Sequence, residues 1–144
     1  MNNLFDIACN FSSDRFDNDL NEVIQRAKNN NVTKFLVVSA SLKDAEKVNK
    51  IYQDNKDSCF FTIGVHPHNA NEFGSFSSAE MIKLIEKYKP HSVGETGLDF
   101  FRNISSYEEQ LFAFEEQIQI AIDTNLPLFL HQREAHDDFM KIIS

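Results

Sequence analysis

Two rhythms of apolar positions alternate along the chain: short, nearly continuous runs, and longer stretches with apolar residues three and four apart. Leu4-Phe5-Asp6-Ile7-Ala8-Cys9 predicts a first strand. Asp17 then precedes a helix with Leu20, Val23, Ile24 and Ala27 on one face. Lys34-Phe35-Leu36-Val37-Val38-Ser39 has the composition of a strand buried on both faces. Ser41 and Asp44 form a variant capping box before a helix striped by Ala45, Val48, Ile51 and Tyr52. The third strand is Cys59-Phe60-Phe61-Thr62-Ile63-Gly64-Val65, leading into a polar loop, His66-Pro67-His68-Asn69. Ser77 and Glu80 suggest a second capping box, before a helix with Met81, Leu84, Ile85 and Tyr88 facing inward. A short fourth strand covers Ser92-Val93-Gly94-Glu95, and a loop follows from Thr96 to Arg102. The serine and glutamate cluster at 105–109 starts a long helix, with Leu111, Phe114, Ile118, Ala121 and Ile122 inward. Pro127 opens a fifth strand, Leu128-Phe129-Leu130-His131, and a last helix turns Phe139, Ile142 and Ile143 to one side.

The strand starts near residues 4, 34, 59, 92 and 127 repeat a βα unit at regular intervals. Such alternation predicts an α/β fold with a parallel sheet and right-handed crossovers. An eight-unit barrel of about 250 residues averages about 31 residues per unit, so about five of eight units are present. The pattern also breaks off inside an amphipathic helix at Ser144. Two architectures fit: a small open sheet, or the front part of a longer barrel.

Composition narrows the class. The 144 residues carry 22 acidic and 14 basic side chains, a net charge of −8, in an ordinary globular mixture. No apolar run approaches the roughly 20 residues of a membrane span, and the N-terminus lacks the pattern of a secretory leader. Cys9 and Cys59 sit in apolar runs as small buried hydrophobes. The expectation is a reduced protein of the cytoplasm, or of the nucleus in a eukaryote. A protein that grips nucleic acid by charge alone carries a basic stripe, and this chain has none. If it handles a phosphodiester, a bound metal is the natural source of positive charge.

Polar residues collect where strands end. His66 and His68 follow the third strand, Glu95 ends the fourth, and His131 ends the fifth. In a parallel α/β fold these carboxyl ends share one side, where active sites are built. Glu95 lies between Gly94 and Gly97, with room for a metal or substrate to approach. A strand-end histidine such as His131 makes a good metal ligand once its second nitrogen has an acceptor. By geometry alone His66-Pro67-His68 is turn chemistry before it is a metal site. Asp99 and Arg102 read as loop anchors or phosphate contacts. Arg133 is the better phosphate candidate, because its planar fork matches phosphate oxygens. His91 reads as a surface residue at the opposite end of the sheet.

Three segments in series are recognisable: Gly64-Val65-His66-Pro67-His68, Gly94-Glu95-Thr96-Gly97-Leu98-Asp99-Phe100 and Leu130-His131-Gln132-Arg133-Glu134-Ala135. They resemble the signatures of the TatD-like metal-dependent deoxyribonucleases. The opening segment at 5–10, Gln110 and Leu126-Pro127 are similar as well, so the resemblance covers essentially the whole chain. It implies a (β/α)8 barrel of the metal-dependent hydrolase superfamily, with residues 1–144 as its N-terminal part, truncated before strands six to eight. It implies cleavage of DNA phosphodiesters, as a 3'-5' exonuclease, with one or two divalent metals, Mg²⁺ first and Mn²⁺ or Zn²⁺ as alternatives. Glu95 becomes catalytic and a metal ligand, and His131 a second ligand. His66, His68 and Arg133, with Asp99 and Arg102, become substrate or phosphate contacts.

Many family members open with Asp-x-His-x-His, where this chain has Asp6-Ile7-Ala8-Cys9-Asn10. Ala8 cannot ligate and Asn10 offers only a neutral oxygen, which favours a single-metal or weakened second site. Further ligands come from later strands in the family. Two other readings stand beside the nuclease: a related hydrolase acting on a small molecule, and a non-catalytic fragment or binding module. The last is favoured for these 144 residues by themselves. Strands one and five would leave open edges, so self-association, pairing with a complementary fragment, or instability is expected.

Overall fold

The computed structural model of the protein describes residues 3–144. Five parallel strands lie side by side in sequential order: β1 (Leu4–Cys9), β2 (Val32–Val37), β3 (Cys59–Ile63), β4 (Ser92–Asp99) and β5 (Leu128–Arg133). Each is followed by a helix: α1 (Leu20–Asn29), α2 (Ala45–Asp54), α3 (Ser77–Tyr88), α4 (Tyr107–Thr124) and α5 (His136–Ile143). Among the described residues, no helix is long and apolar enough to cross a membrane.

The core lies between sheet and helices. Phe35, Val37, Phe61, Ile63 and Val93 from the strands meet Ile24, Val48, Met81 and Ile120 from the helices. A second cluster joins Leu98 of β4 to Phe114 and Phe139, whose rings stack at 5.3 Å. At the two edges of the sheet, Leu4, Phe5 and Ile7 of β1 and Leu130 of β5 stay exposed.

Several local expectations change. β4 runs on through Thr96 to Asp99 instead of stopping at Glu95, so Glu95 stands inside the strand and Asp99 at its end. β5 likewise continues to Arg133. The chain enters α1 at Asp19; Asp17 closes a preceding 3₁₀ turn. Ser41 and Asp44 do form a capping box, which opens a 3₁₀ turn ahead of α2. Ser77 and Glu80 do not: Ser77 is the first helical residue, and its hydroxyl accepts from the Gly74 N–H. The capping pair of α4 is Ser106 with Glu109. Ile122 faces solvent, and Ile120 takes the inward position. His91 is half-buried against the rings of Tyr52, Phe60 and Phe61.

Two glutamines of α4 tie the sheet to the helix layer. Gln110 Oε1 accepts from the Asp99 N–H at 2.8 Å, and its amide donates to the Asp99 carbonyl at 3.2 Å. Gln117, two turns on, treats Val65 the same way, at 2.8 and 3.1 Å. Both side chains are buried. Each supplies the pair of hydrogen bonds that a neighbouring strand would otherwise give. One secures the end of β4, and the other secures the residue before His66.

Candidate active site

Glu95 owes its position to its neighbours. Gly94 and Gly97 take φ of 147° and 145°, a region open to glycine and closed to most side chains. A Cβ on either would strike a backbone carbonyl oxygen of β5, at Phe129 or His131. The glycines let β5 close on β4 while Glu95 between them turns toward the cleft. The Gly94–Glu95 peptide is cis. The Glu95 N–H donates to the Ser39 carbonyl of the loop after β2 at 3.0 Å.

Glu95 and His131 converge: His131 Nδ1 lies 3.2 Å from Glu95 Oε1. The other ring nitrogen, Nε2, lies 3.0 Å from Asp99 Oδ2. The same Asp99 oxygen receives His68 Nε2 at 2.8 Å. His66 stands beside them, its ring centroid 4.5 Å from that of His131 and its Nε2 3.8 Å from Glu95 Oε1. The sequence-predicted residues Glu95, His131, His66 and His68 thus share one cluster. His66, Glu95 and His131 each offer a ligand atom within 4.8 Å of the other two.

Hydrogen bonding separates their roles. The backbone N–H of His68 donates to His66 Nδ1 at 3.1 Å. That lone pair is taken, so neutral His66 carries its proton on Nε2 and presents an N–H donor. Burial outweighs the neighbouring carboxylates and pushes the His66 pKa down to about 4, so the ring is neutral near pH 7. His131 has the opposite setting. The hydrogen bond to Glu95 leads in raising its pKa, against the opposing effect of burial, with Asp99 adding to the rise. The approach of His131 Nδ1 to Glu95 Oε1 at 3.2 Å marks where a divalent cation could sit between the two side chains. The donor set fits a divalent metal: one imidazole nitrogen, one carboxylate oxygen, and a second carboxylate behind the imidazole to orient it.

Asp99 is 1% exposed, and its carboxylate serves as an anchor for the surrounding rings and loop. Burial works to raise its pKa. The Arg102 N–H and the rings of His68 and His131 outweigh that and hold it down at about 2. Its Oδ1 accepts from the backbone N–H groups of Phe101 and Arg102, each at 3.1 Å. The Arg102 side chain projects into solvent on the following loop. Arg133, also exposed, lays its guanidinium carbon 3.7 Å from the Phe101 ring centroid.

The cluster opens into a cleft of about 900 Å³ lined by Asn10, Ser13, Arg15, His66, His68 and Glu95 among others. Arg15 escaped the sequence reading. It stands in the loop after β1, and the strand-end rule that found the histidines applies to it equally.

Comparison with known proteins gives a consistent picture. The family profile described as TatD related DNase matches residues 5–144. A 3'-5' ssDNA/RNA exonuclease TatD from Pantoea ananatis is 37% identical over 140 residues, which is 97% of this chain and 54% of that protein. The protein of that name from Cronobacter sakazakii is 39% identical, over 97% and 53%. Among solved structures, a TatD homologue from Escherichia coli superposes with a TM-score of 0.88 at 26% identity, over 96% of this chain and 54% of that one. A hydrolase TatD family protein from Entamoeba histolytica gives 0.85 at 31% identity, over 99% and 54%. The five βα units therefore form a curled half-barrel, and the chain spans about half the length of the relatives it matches.

Proposed function

The chain belongs to the TatD-related DNase family, and from that membership we propose that it carries the metal-binding and phosphate-facing part of a metal-dependent deoxyribonuclease. The observation that carries this reading is the approach of Glu95 Oε1 and His131 Nδ1 to 3.2 Å at the mouth of a cleft. The net charge of −8, with no basic stripe, leaves the phosphodiester only isolated arginines such as Arg15 and Arg133 besides a bound cation.

Glu95 and His131 would hold the cation. Mg²⁺ is the first choice, and the mixed imidazole and carboxylate donors also suit Mn²⁺ or Zn²⁺. Bound there, a divalent ion supplies Lewis acidity toward the phosphoryl group and lowers the pKa of a coordinated water. Asp99 fixes the His131 ring, and with it the direction of Nδ1. The His66 Nε2–H donates a hydrogen bond to a phosphoryl oxygen, and Arg15 and Arg133 neutralise phosphates on the rim. The substrate is DNA, shortened from its 3' end. The relatives, named 3'-5' ssDNA/RNA exonucleases, extend the substrate class to RNA.

Residues 1–144 constitute the N-terminal part of one (β/α)8 domain in this proposal. A polypeptide limited to them self-associates through its β1 and β5 edges. It also binds metal weakly, because Glu95 and His131 are two donors where a closed site takes about four. The two free, buried cysteines fit a reducing compartment such as the cytoplasm.

The test is single-stranded DNA labelled at either end, offered with Mg²⁺ to a polypeptide of the relatives' length carrying these residues. The proposal expects mononucleotide release from the 3' end, abolished by Glu95→Gln. Hydrolysis of small esters or amides without DNA cleavage would move the assignment to a different hydrolase, and no hydrolysis at all would favour a binding module.

A further inference from the structure

The loop between β4 and α4 carries a ring that the core does not use. Phe100 packs inward with the cluster around Leu98 and Phe114. Phe101 beside it is 53% exposed. Its ring is held in place nonetheless, with the Arg133 guanidinium 3.7 Å from the centroid. Backbone contacts fix both partners: the Phe100 N–H donates to the Arg133 carbonyl at 3.0 Å, and the Phe101 N–H to Asp99 Oδ1 at 3.1 Å.

This platform is joined to the metal cluster through a single carboxylate. Asp99 Oδ1 holds the loop and Asp99 Oδ2 holds His131 and His68. Arg133 also follows His131 by two residues on β5. It therefore projects from the same face, about 7 Å nearer the rim. Ile104, exposed on the same loop, lines the cleft beside His68.

A half-exposed ring with a fixed cation over one face suits an unpaired nucleobase on a charged strand. Stacking on an aromatic ring tolerates any base, and the guanidinium attracts the adjoining phosphate through its outward N–H donors. A paired base inside a duplex has both faces covered by its neighbours and cannot use such a ring. A lone exposed phenylalanine is ordinary on a protein surface. One that a guanidinium covers, on a loop tied to the metal cluster by a buried aspartate, has a more specific setting.

We propose that Phe101 and Arg133 form a stacking subsite for an unpaired nucleobase of the substrate strand. This rests on the nuclease reading above and names how that site grips its substrate.

The experiment measures binding of this chain to two fluorescently labelled strands in EDTA, where no cleavage occurs. One is an oligothymidylate and the other an abasic strand of equal length. The unmodified chain should bind the oligothymidylate about tenfold more tightly, in line with the contribution of one stacked base. Phe101→Ala should remove that preference and leave the melting temperature unchanged, while Phe101→Tyr retains it. Equal binding of the two strands, binding of neither, or a preference that survives in Phe101→Ala would overturn the subsite. Metal-dependent cleavage by the longer polypeptide stands or falls separately. Cleavage without base preference defeats the subsite alone, and base preference without cleavage defeats the nuclease reading alone.

Discussion

Asp99 Oδ2 lies 3.0 Å from His131 Nε2, on the side of the ring opposite Glu95. That contact decides which nitrogen of His131 faces the cleft. A carboxylate behind a ligating imidazole fixes its tautomer, and loss of such a partner typically costs about 10–100-fold in metal affinity. Asp99→Asn should therefore weaken Mn²⁺ binding by about that factor, read by calorimetric titration. Unchanged affinity would show that His131 is oriented by something else.

Gln117 replaces a strand. It is 0% exposed and satisfies both the N–H and the carbonyl of Val65. Gln117→Leu leaves those two backbone groups buried and unpaired, at about 1–3 kcal/mol each. Urea denaturation should show a loss of about 2–6 kcal/mol by this addition. A loss below 1 kcal/mol would mean that water or a shifted backbone satisfies Val65 instead.

Much of this arrangement was legible in the sequence, and the misses have physical causes. Strand order followed from the spacing of apolar runs, because a βα repeat leaves a parallel sheet few alternatives. The gathering of Glu95, His131, His66 and His68 followed from strand polarity alone. By sequence Asp99 falls in a loop, because the short fourth strand is expected to end at Glu95. In fact the glycines at 94 and 97 let β5 press against β4, and the strand continues. Gln110 and Gln117 fit no apolar stripe, since a periodicity argument has no place for a buried polar side chain. Their seven-residue spacing, on the face that also carries Ala113, Phe114 and Ala121, was the available signal. His91 looked like a surface residue because Pro90 and the short strand hid the aromatic cage around it.

That cage sets a pH dependence. Burial lowers the His91 pKa below its ordinary value of 6.5, so the folded protein binds fewer protons there than the unfolded chain. The stability contribution is complete above the ordinary histidine range and is lost as pH falls into and below it. His91→Gln removes this titration. The unmodified chain should therefore lose more unfolding free energy than His91→Gln between pH 7.5 and pH 5, with urea as the denaturant. Parallel losses in the two proteins would contradict the burial argument.

The pairing of Glu95 with His131 is the claim on which the functional account depends. It is tested most directly by following Mn²⁺ binding to the chain by electron paramagnetic resonance, alongside Glu95→Gln and His131→Gln. Each substitution preserves the size or polarity of the group and removes a ligand. The account predicts that either lowers the affinity by at least about tenfold, on the scale set by loss of an orienting partner, with circular dichroism unchanged. Mn²⁺ bound equally well by both variants and the unmodified chain would place the cation elsewhere and contradict the assignment of this cluster as the metal centre.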